Sequence, residues 1–263
     1  MDFWLSLLLY FVTGVISGTC GGLLGIGGAT ILVPTLTLIF GLPIHLAIGV
    51  SLLNNVAVSI SATIGYHNRG LLDKRIILIM NVGSISGIFL GTFLATRSPE
   101  TALKVVFGIF LLFMVADAFL RKSAVESDSM GELTVKKEAG LTGLGFVMGL
   151  LGALLGLGGG TVAVPVLNNL FKMPLKRAIA NSLATIILSS SLGAVIYFYL
   201  SSGTLFSAEE ALVTAATIIP GSIVGARAGA TIFERLHTKY IKYIFYALLL
   251  YIAYNMIKSG LGW

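Results

Sequence analysis

Two glycine-rich runs interrupt otherwise apolar sequence, GTCGGLLGIGG at residues 18–28 and GLLGALLGLGGG at residues 149–160, and a proline follows each, Pro34 or Pro165. Glycine packs poorly into a helix and frees backbone polar groups, which in lipid must be buried in protein or line a cavity. The segment returning from each break, 29–40 or 161–171, covers only about 17 Å of helix before a turn at 41–43 or 172–174, roughly half of a ~30 Å hydrocarbon core. Each break is therefore expected near mid-depth, one entered from each side, presenting the unpaired N–H groups of a short helix N-terminus. Two such ends facing one another make an anion site. The residues assigned to it are Gly27, Gly28 and Ala29 with Gly158, Gly159 and Gly160 through backbone N–H groups, and Thr30 and Thr161 through their hydroxyls. Asn54, Asn181 and Thr185 are expected to line the path. Valine at Gly28 or Gly159 is expected to block backbone approach while leaving insertion intact.

The third and eighth apolar segments carry the polar stripes beside the breaks. Ser51, Asn54, Asn55 and Ser59 stand in one, and Asn181, Ser182, Thr185 and Ser189 in the other. Their three- and four-residue spacing puts Ser51, Asn54 and Asn55, and likewise Asn181, Ser182 and Thr185, on one helical face, which turns from lipid toward protein or water. Interhelical hydrogen bonding is the competing use of such residues. No Asp or Glu falls at mid-membrane, so a carboxylate proton relay has no members. Pro34 and Pro165 are expected to kink or end the returning helices. Tyr66 and Tyr197 read as interfacial belt residues, and Cys20 as a small packing residue.

The elements that must position these residues follow from composition and periodicity. Of 263 residues, 56% are hydrophobic and 11% charged, with mean hydropathy +0.97, which implies an all-α polytopic membrane protein. Ten apolar segments stand at 3–20, 29–40, 46–66, 76–96, 101–120, 141–155, 161–171, 178–200, 211–233 and 241–257. The stretch 121–139 is polar and reads as a linker between residues 1–120 and 140–263.

The two sides of that linker are repeats. A shift of 131 places Gly25 on Gly156, Gly27 and Gly28 on Gly158 and Gly159, Thr30 on Thr161, Pro34 on Pro165, Ser51 and Leu52 on Ser182 and Leu183, and Tyr66 on Tyr197. A shift of 138 then places Gly83, Ser84, Gly87 and Gly91 on Gly221, Ser222, Gly225 and Gly229. Taking each break as a hairpin tip and the N-terminus as outside, thirteen basic residues fall in cytoplasmic loops, among them Arg69, Lys74, Arg75, Lys172, Lys176 and Arg177. Only Arg97, Lys104 and Lys258 then fall outside, as the positive-inside rule requires. Five passes or partial passes per half invert the second repeat relative to the first, each repeat being a broken-helix hairpin plus three transmembrane helices. Both termini are expected outside and the linker in the cytoplasm of a cell (inner) membrane protein, as a monomer or homodimer.

Several classes are set aside. The net charge of +6 lies in short loops and does not point to nucleic acid. With one cysteine, no intrachain disulfide or multi-cysteine metal cluster forms, and no metal or other cofactor is expected. GSISG at residues 83–87 is not a G-x-S-x-G nucleophile motif, so the chain is not expected to be an enzyme. A small-anion transporter and an anion channel share the same residues.

The motifs GLLGIGGATILVP and GLLGALLGLGGGTVAVP, each followed by a polar turn and an A-x3-SL element, AIGVSL or AIANSL, resemble those of the sulfite exporter TauE/SafE family of membrane permeases. The resemblance covers the chain outside the linker. Where members of that family typically carry Thr before Ser-Leu, this chain has Val50 and Asn181. The resemblance implies a cytoplasmic-membrane protein that moves sulfur-containing anions such as sulfite or organosulfonates outward.

Overall fold

A computed structural model describes residues 3–25, 27–120, 134–201, 204–232 and 238–262. Among them the chain forms α1 (Phe3–Leu24), α2 (Ala29–Pro34) with a π-helical continuation (Thr35–Ile39), α3 (Ile44–His67), α4 (Lys74–Arg97) and α5 (Glu100–Leu120). The second half forms α6 (Val135–Leu155), α7 (Gly160–Asn169), α8 (Leu175–Ser201), α9 (Ala208–Ile232) and α10 (Thr238–Leu261). The protein is an all-α polytopic membrane protein. Six described helices, α1, α3, α4, α6, α8 and α9, are long and apolar enough to cross a bilayer, and Leu78, Val82, Phe89 and Phe113 point outward as a lipid-facing surface requires.

Most of the stretch read as a linker, residues 121–133, lies outside the described residues, and α6 begins at Val135. Glu138 in the first turn of α6 forms an ion pair with Arg75 at the start of α4. Asp73 caps α4, its Oδ1 accepting from the backbone N–H groups of Arg75 and Ile76 at 3.0 and 3.3 Å, which satisfies donors that the helix start leaves free.

Helix pairing joins the halves. α1 packs along α9, α4 along α6, α5 along α10 and α3 along α8, while α3 also meets α9 and α4 meets α8. Exchanging α1–α5 for α6–α10 maps this set of contacts onto itself. Glycine decides the closest pairs. A Cβ on Gly14, Gly18 or Gly22 would lie 2.2, 2.1 or 2.4 Å from the carbonyl oxygens of Ile218, Ser222 and Ala226. On Gly83, Gly87 or Gly91 it would lie 1.9, 2.1 or 2.3 Å from those of Thr142, Phe146 and Leu150. The ascending numbers show that α1 and α9 run in the same direction, as do α4 and α6. Lipid supplies no hydrophobic drive between helices, so backbone-to-backbone approach through glycine supplies the dispersion contact instead. α3 and α8 run in opposite directions, with His45 beside Tyr197 and Leu52 beside Gly193.

One expectation is corrected here. Tyr66 and Tyr197 are not belt residues, since both are buried, at 1% and 0% exposure. The Tyr66 hydroxyl donates to Gly22 O at 3.1 Å, and the Tyr197 hydroxyl lies 3.3 Å from His45 O and 3.2 Å from His45 Nδ1. A phenol at the end of a long helix finds a carbonyl inside the bundle as readily as a headgroup outside it. The prolines also behave differently from one another. Pro34 ends α2 and hands over to the π-helical segment, whereas Pro165 lies inside α7, which continues to Asn169.

Candidate functional site

Each glycine run divides into a packing part and a turning part. Gly18, Gly21 and Gly22 remain helical in α1 and face backbone of α9 or of the break itself. Gly25, Gly27 and Gly28 turn the chain with φ of 73°, 78° and 86°. Gly156, Gly158 and Gly159 repeat the turn with φ of 72°, 69° and 81°. All six occupy the left-handed region that L side chains enter only with strain. The chain thus leaves one helix and re-enters the next within four residues on each side, and the agreement in dihedrals makes the two breaks copies of each other.

The breaks meet beside the middle of α3. Ser51 Oγ and Asn55 Nδ2 both donate to Gly156 O at 2.8 Å, and Ser182 Oγ, the repeat counterpart of Ser51, donates to Gly25 O at 3.3 Å. Each long helix therefore ties down the carbonyl that ends the broken helix of the other half. Gly160 lies against Gly25, where a Cβ would come 2.2 Å from Gly25 O. Asn55 stands between the breaks: a Cβ on Gly27 would lie 2.9 Å from its Oδ1, and one on Gly158 would lie 3.1 Å from its Nδ2.

Free donors gather on both sides of this contact. The first backbone bonds of the returning helices run from Ile31 and Leu32 to Gly28 O and from Val162 and Ala163 to Gly159 O, all at 3.2 Å. The N–H groups of Ala29, Thr30, Gly160 and Thr161 precede them, as at any helix start. Thr30 and Thr161 are 0% and 4% exposed, and neither hydroxyl has a hydrogen-bond partner. Asn54, Asn55 Oδ1, Ser59 and Ser190 are likewise buried without partners. Unpaired polar atoms at this density in a buried region are unusual and call for an occupant. The side chains and backbone that meet the turning glycines come from Ser17, Ile48, Ser51, Asn55, Met148, Leu157, Val164, Ile179, Ile186 and Ser190; none is charged.

The remaining sequence-derived positions fall differently. Thr185 is buried in α8, with its hydroxyl donating to Asn181 O at 2.9 Å. Asn181 is drawn into a clamp on the loop before α4: Nδ2 donates to Arg177 O at 2.8 Å and lies 3.3 Å from Leu71 O, while Oδ1 accepts from Asp73 N–H at 2.8 Å. Its amide is spent there and does not reach the breaks. Gly28 and Gly159 also act otherwise than as approach surfaces. A Cβ on either would strike Ser17 O at 2.6 Å or Met148 O at 2.4 Å, in the preceding helix, so valine there disrupts the break before it can screen a ligand. Asn55 and the Ser51–Ser182 pair are missing from the sequence-derived site. Their signal was present, since Ser51 and Ser182 are repeat-matched and Asn55 lies on the same polar face as Ser51.

Residues 10–256 match the family described as Sulfite exporter TauE/SafE. The chain belongs to that family. Among TauE/SafE relatives it is 31% identical to the probable membrane transporter protein YunE of Bacillus subtilis (strain 168), over 98% of this chain and 99% of that one. A probable membrane transporter protein of Methanocaldococcus jannaschii is 31% identical over 86% of this chain and 87% of its own length. The probable membrane transporter protein MamO of Paramagnetospirillum magneticum is 28% identical over 92% of this chain, which spans 43% of it. No solved structure matches the chain. The family assignment and the crossing helices together identify a multi-pass membrane transporter whose surroundings are a lipid bilayer.

Proposed function

We propose that this transporter exports small sulfur-containing anions, such as sulfite or organosulfonates, across the cell (inner) membrane, and that one anion binds between the two glycine breaks. Backbone N–H groups around Gly27, Gly28 and Ala29 and around Gly158, Gly159 and Gly160 hold it, Thr30 and Thr161 donate hydroxyl hydrogen bonds, and Asn54 and Thr185 line the path. Asn181 closes that path where its amide joins the loop before α4 to the first turn of α8.

The observation that carries the reading is the pair of repeat-matched threonines, Thr30 and Thr161, each in the first turn after a break, each buried and each without a partner. A small oxyanion offers acceptors in several directions. Helix starts and hydroxyls supply donors without the cost of burying a cation.

The transport cycle we infer treats the halves as inverted repeats, 1–120 and 140–263, with both termini outside and the polar stretch 121–139 in the cytoplasm. Opposite directions in the counterpart helices α3 and α8 support this arrangement, and so does the exchange-symmetric pairing of the halves. With no carboxylate at the breaks, the inside-negative potential drives an anion outward by about 2.3 kcal/mol per charge per 100 mV.

Labelled sulfite flux from proteoliposomes tests the function. Saturable efflux with counterflow is expected, slowed when the potential is collapsed at constant pH; efflux that never saturates would identify a channel. A reporter at the C-terminus that reads cytoplasmic would overturn the inverted arrangement.

A further inference from the structure

We infer that the anion held between the breaks carries a hydrogen-bond donor of its own: a singly charged oxyanion that keeps an O–H or N–H, of which hydrogensulfite and sulfamate are examples, and not a dianion or a simple alkylsulfonate. This rests on the anion site proposed above and narrows its substrate class.

The decisive residue is Asn55. It is fully buried at mid-length of α3. Gly156 O can only accept, so the amide group that faces it at 2.8 Å is the nitrogen. The orientation of the side chain is thereby set. Its oxygen is left on the side of Gly27, where it is the nearest atom to the position of a Cβ, and it has no hydrogen-bond partner. An amide oxygen accepts and never donates. Set against a fully deprotonated oxyanion it would oppose acceptor to acceptor, and left empty it would forfeit the hydration it lost on burial. An O–H or N–H on the ligand removes both penalties. The hydroxyls of Thr30 and Thr161, which can donate, remain for the charged oxygens.

The charge balance points the same way. The groups that meet the turning glycines include no charged side chain. The positive potential comes from two helix starts, α7 and the continuous helical run of α2 with its π-helical extension. Each supplies at most about half a unit charge, together about one. That balances a monoanion and leaves a dianion half uncompensated.

The second half of the molecule does not duplicate the acceptor. Ile186 stands where repeat symmetry would place a second Asn55, with Cγ2 3.0 Å from the Cβ position of Gly158 and Cδ1 2.8 Å from that of Gly160. The second side thus presents Ile186 with the unpartnered hydroxyl of Ser190 beside it, and since that hydroxyl can donate while the Asn55 oxygen can only accept, a ligand with one donor is oriented toward Asn55.

The test compares two anions of nearly equal size and equal charge, sulfamate and methanesulfonate, which differ in an amino against a methyl group. In proteoliposomes of the full chain, sulfamate is expected to move at least about 10-fold faster at limiting concentration, as one buried hydrogen bond allows. Sulfite efflux should also follow the singly protonated fraction as pH is varied. Asn55→Leu should erase the preference between the two probes; the wild-type comparison decides the matter even where that variant fails to fold. Equal rates for both probes, with sulfite itself transported, would overturn the inference and leave the anion site standing. If neither probe moves and neither competes with sulfite, sulfonate-like recognition fails and the inference falls with it. If sulfite itself is not transported, the proposed function fails first.

Discussion

The two glycine breaks share a backbone and differ in side chains. Their φ values agree to within about ten degrees at all three turning positions, and Ser51 and Ser182 tie down opposite carbonyls by equivalent bonds. Yet the first break has Ser17 donating to Gly28 O at 2.9 Å, where the second has Met148. Asn54 and Asn55 in α3 have Thr185 and Ile186 in α8 as their repeat counterparts. Beyond the returning helices, Gly41 takes φ of 69° and its counterpart Lys172 takes φ of 57°. The two halves share the left-handed geometry that glycine enters without strain and differ in the side chains set around it. The two copies of the frame therefore differ by an amide against an alkyl side chain, Asn55 against Ile186, while hydroxyls stand beside both breaks.

The largest test of this comparison lies in the glycines. Gly28→Val and Gly159→Val should each destabilise the protein by more than about 3 kcal/mol, because the added carbons strike backbone oxygens of the preceding helix. Size-exclusion profiles in detergent should show aggregation for both; a well-folded monodisperse peak from either would mean the breaks are not built as described.

The threonines sharpen the comparison at intermediate cost. Thr30→Val and Thr161→Val keep shape and remove a hydroxyl that has no partner in the protein, so folding should be unaffected. Sulfite flux at limiting concentration should fall about 10-fold for each, near 1.4 kcal/mol. Equal losses support two-sided binding, whereas a loss from one alone would confine the ligand to one break.

Asn181 stands where the first half has Val50. Asn181→Ala removes the amide that holds the loop before α4 and should lower stability by about 1–2 kcal/mol in thermal unfolding. Sulfite affinity should be unchanged, since that amide does not reach the breaks; a large loss of affinity would return Asn181 to direct contact. The smallest effect is expected at Lys172, a non-glycine residue in left-handed backbone. Lys172→Gly should stabilise by up to about 1 kcal/mol with no change in flux, and a destabilised variant would show that the side chain matters more than its backbone strain.

Much of the frame was legible from residue type. Apolar runs set the helices to within a few residues, except that Phe3–Leu24, Val135–Leu155 and Thr238–Leu261 extend four to six residues past an expected end. The glycine spacing disclosed both breaks and the repeat. The roles of individual polar residues were less legible, because a helical face is shared by several neighbours at once. Along the chain Asn54 reads as a path residue, Asn55 as a member of the polar stripe alone, and Asn181 as a path residue again. One is unpartnered, one bridges both breaks and one holds a loop.

What the sequence alone determined is whatever a single residue or a run imposes locally: apolar length, the left-handed turns that demand glycine, and the matched order of glycines and prolines that marks duplication. The tertiary structure alone decided which carbonyl each serine reaches, that Asn55 presents an oxygen toward Gly27, and that Gly28 and Gly159 press on the helices before them. Those outcomes depend on distances between segments from 11 to 157 residues apart in the chain, and no local preference of the chain encodes a distance between two packed helices.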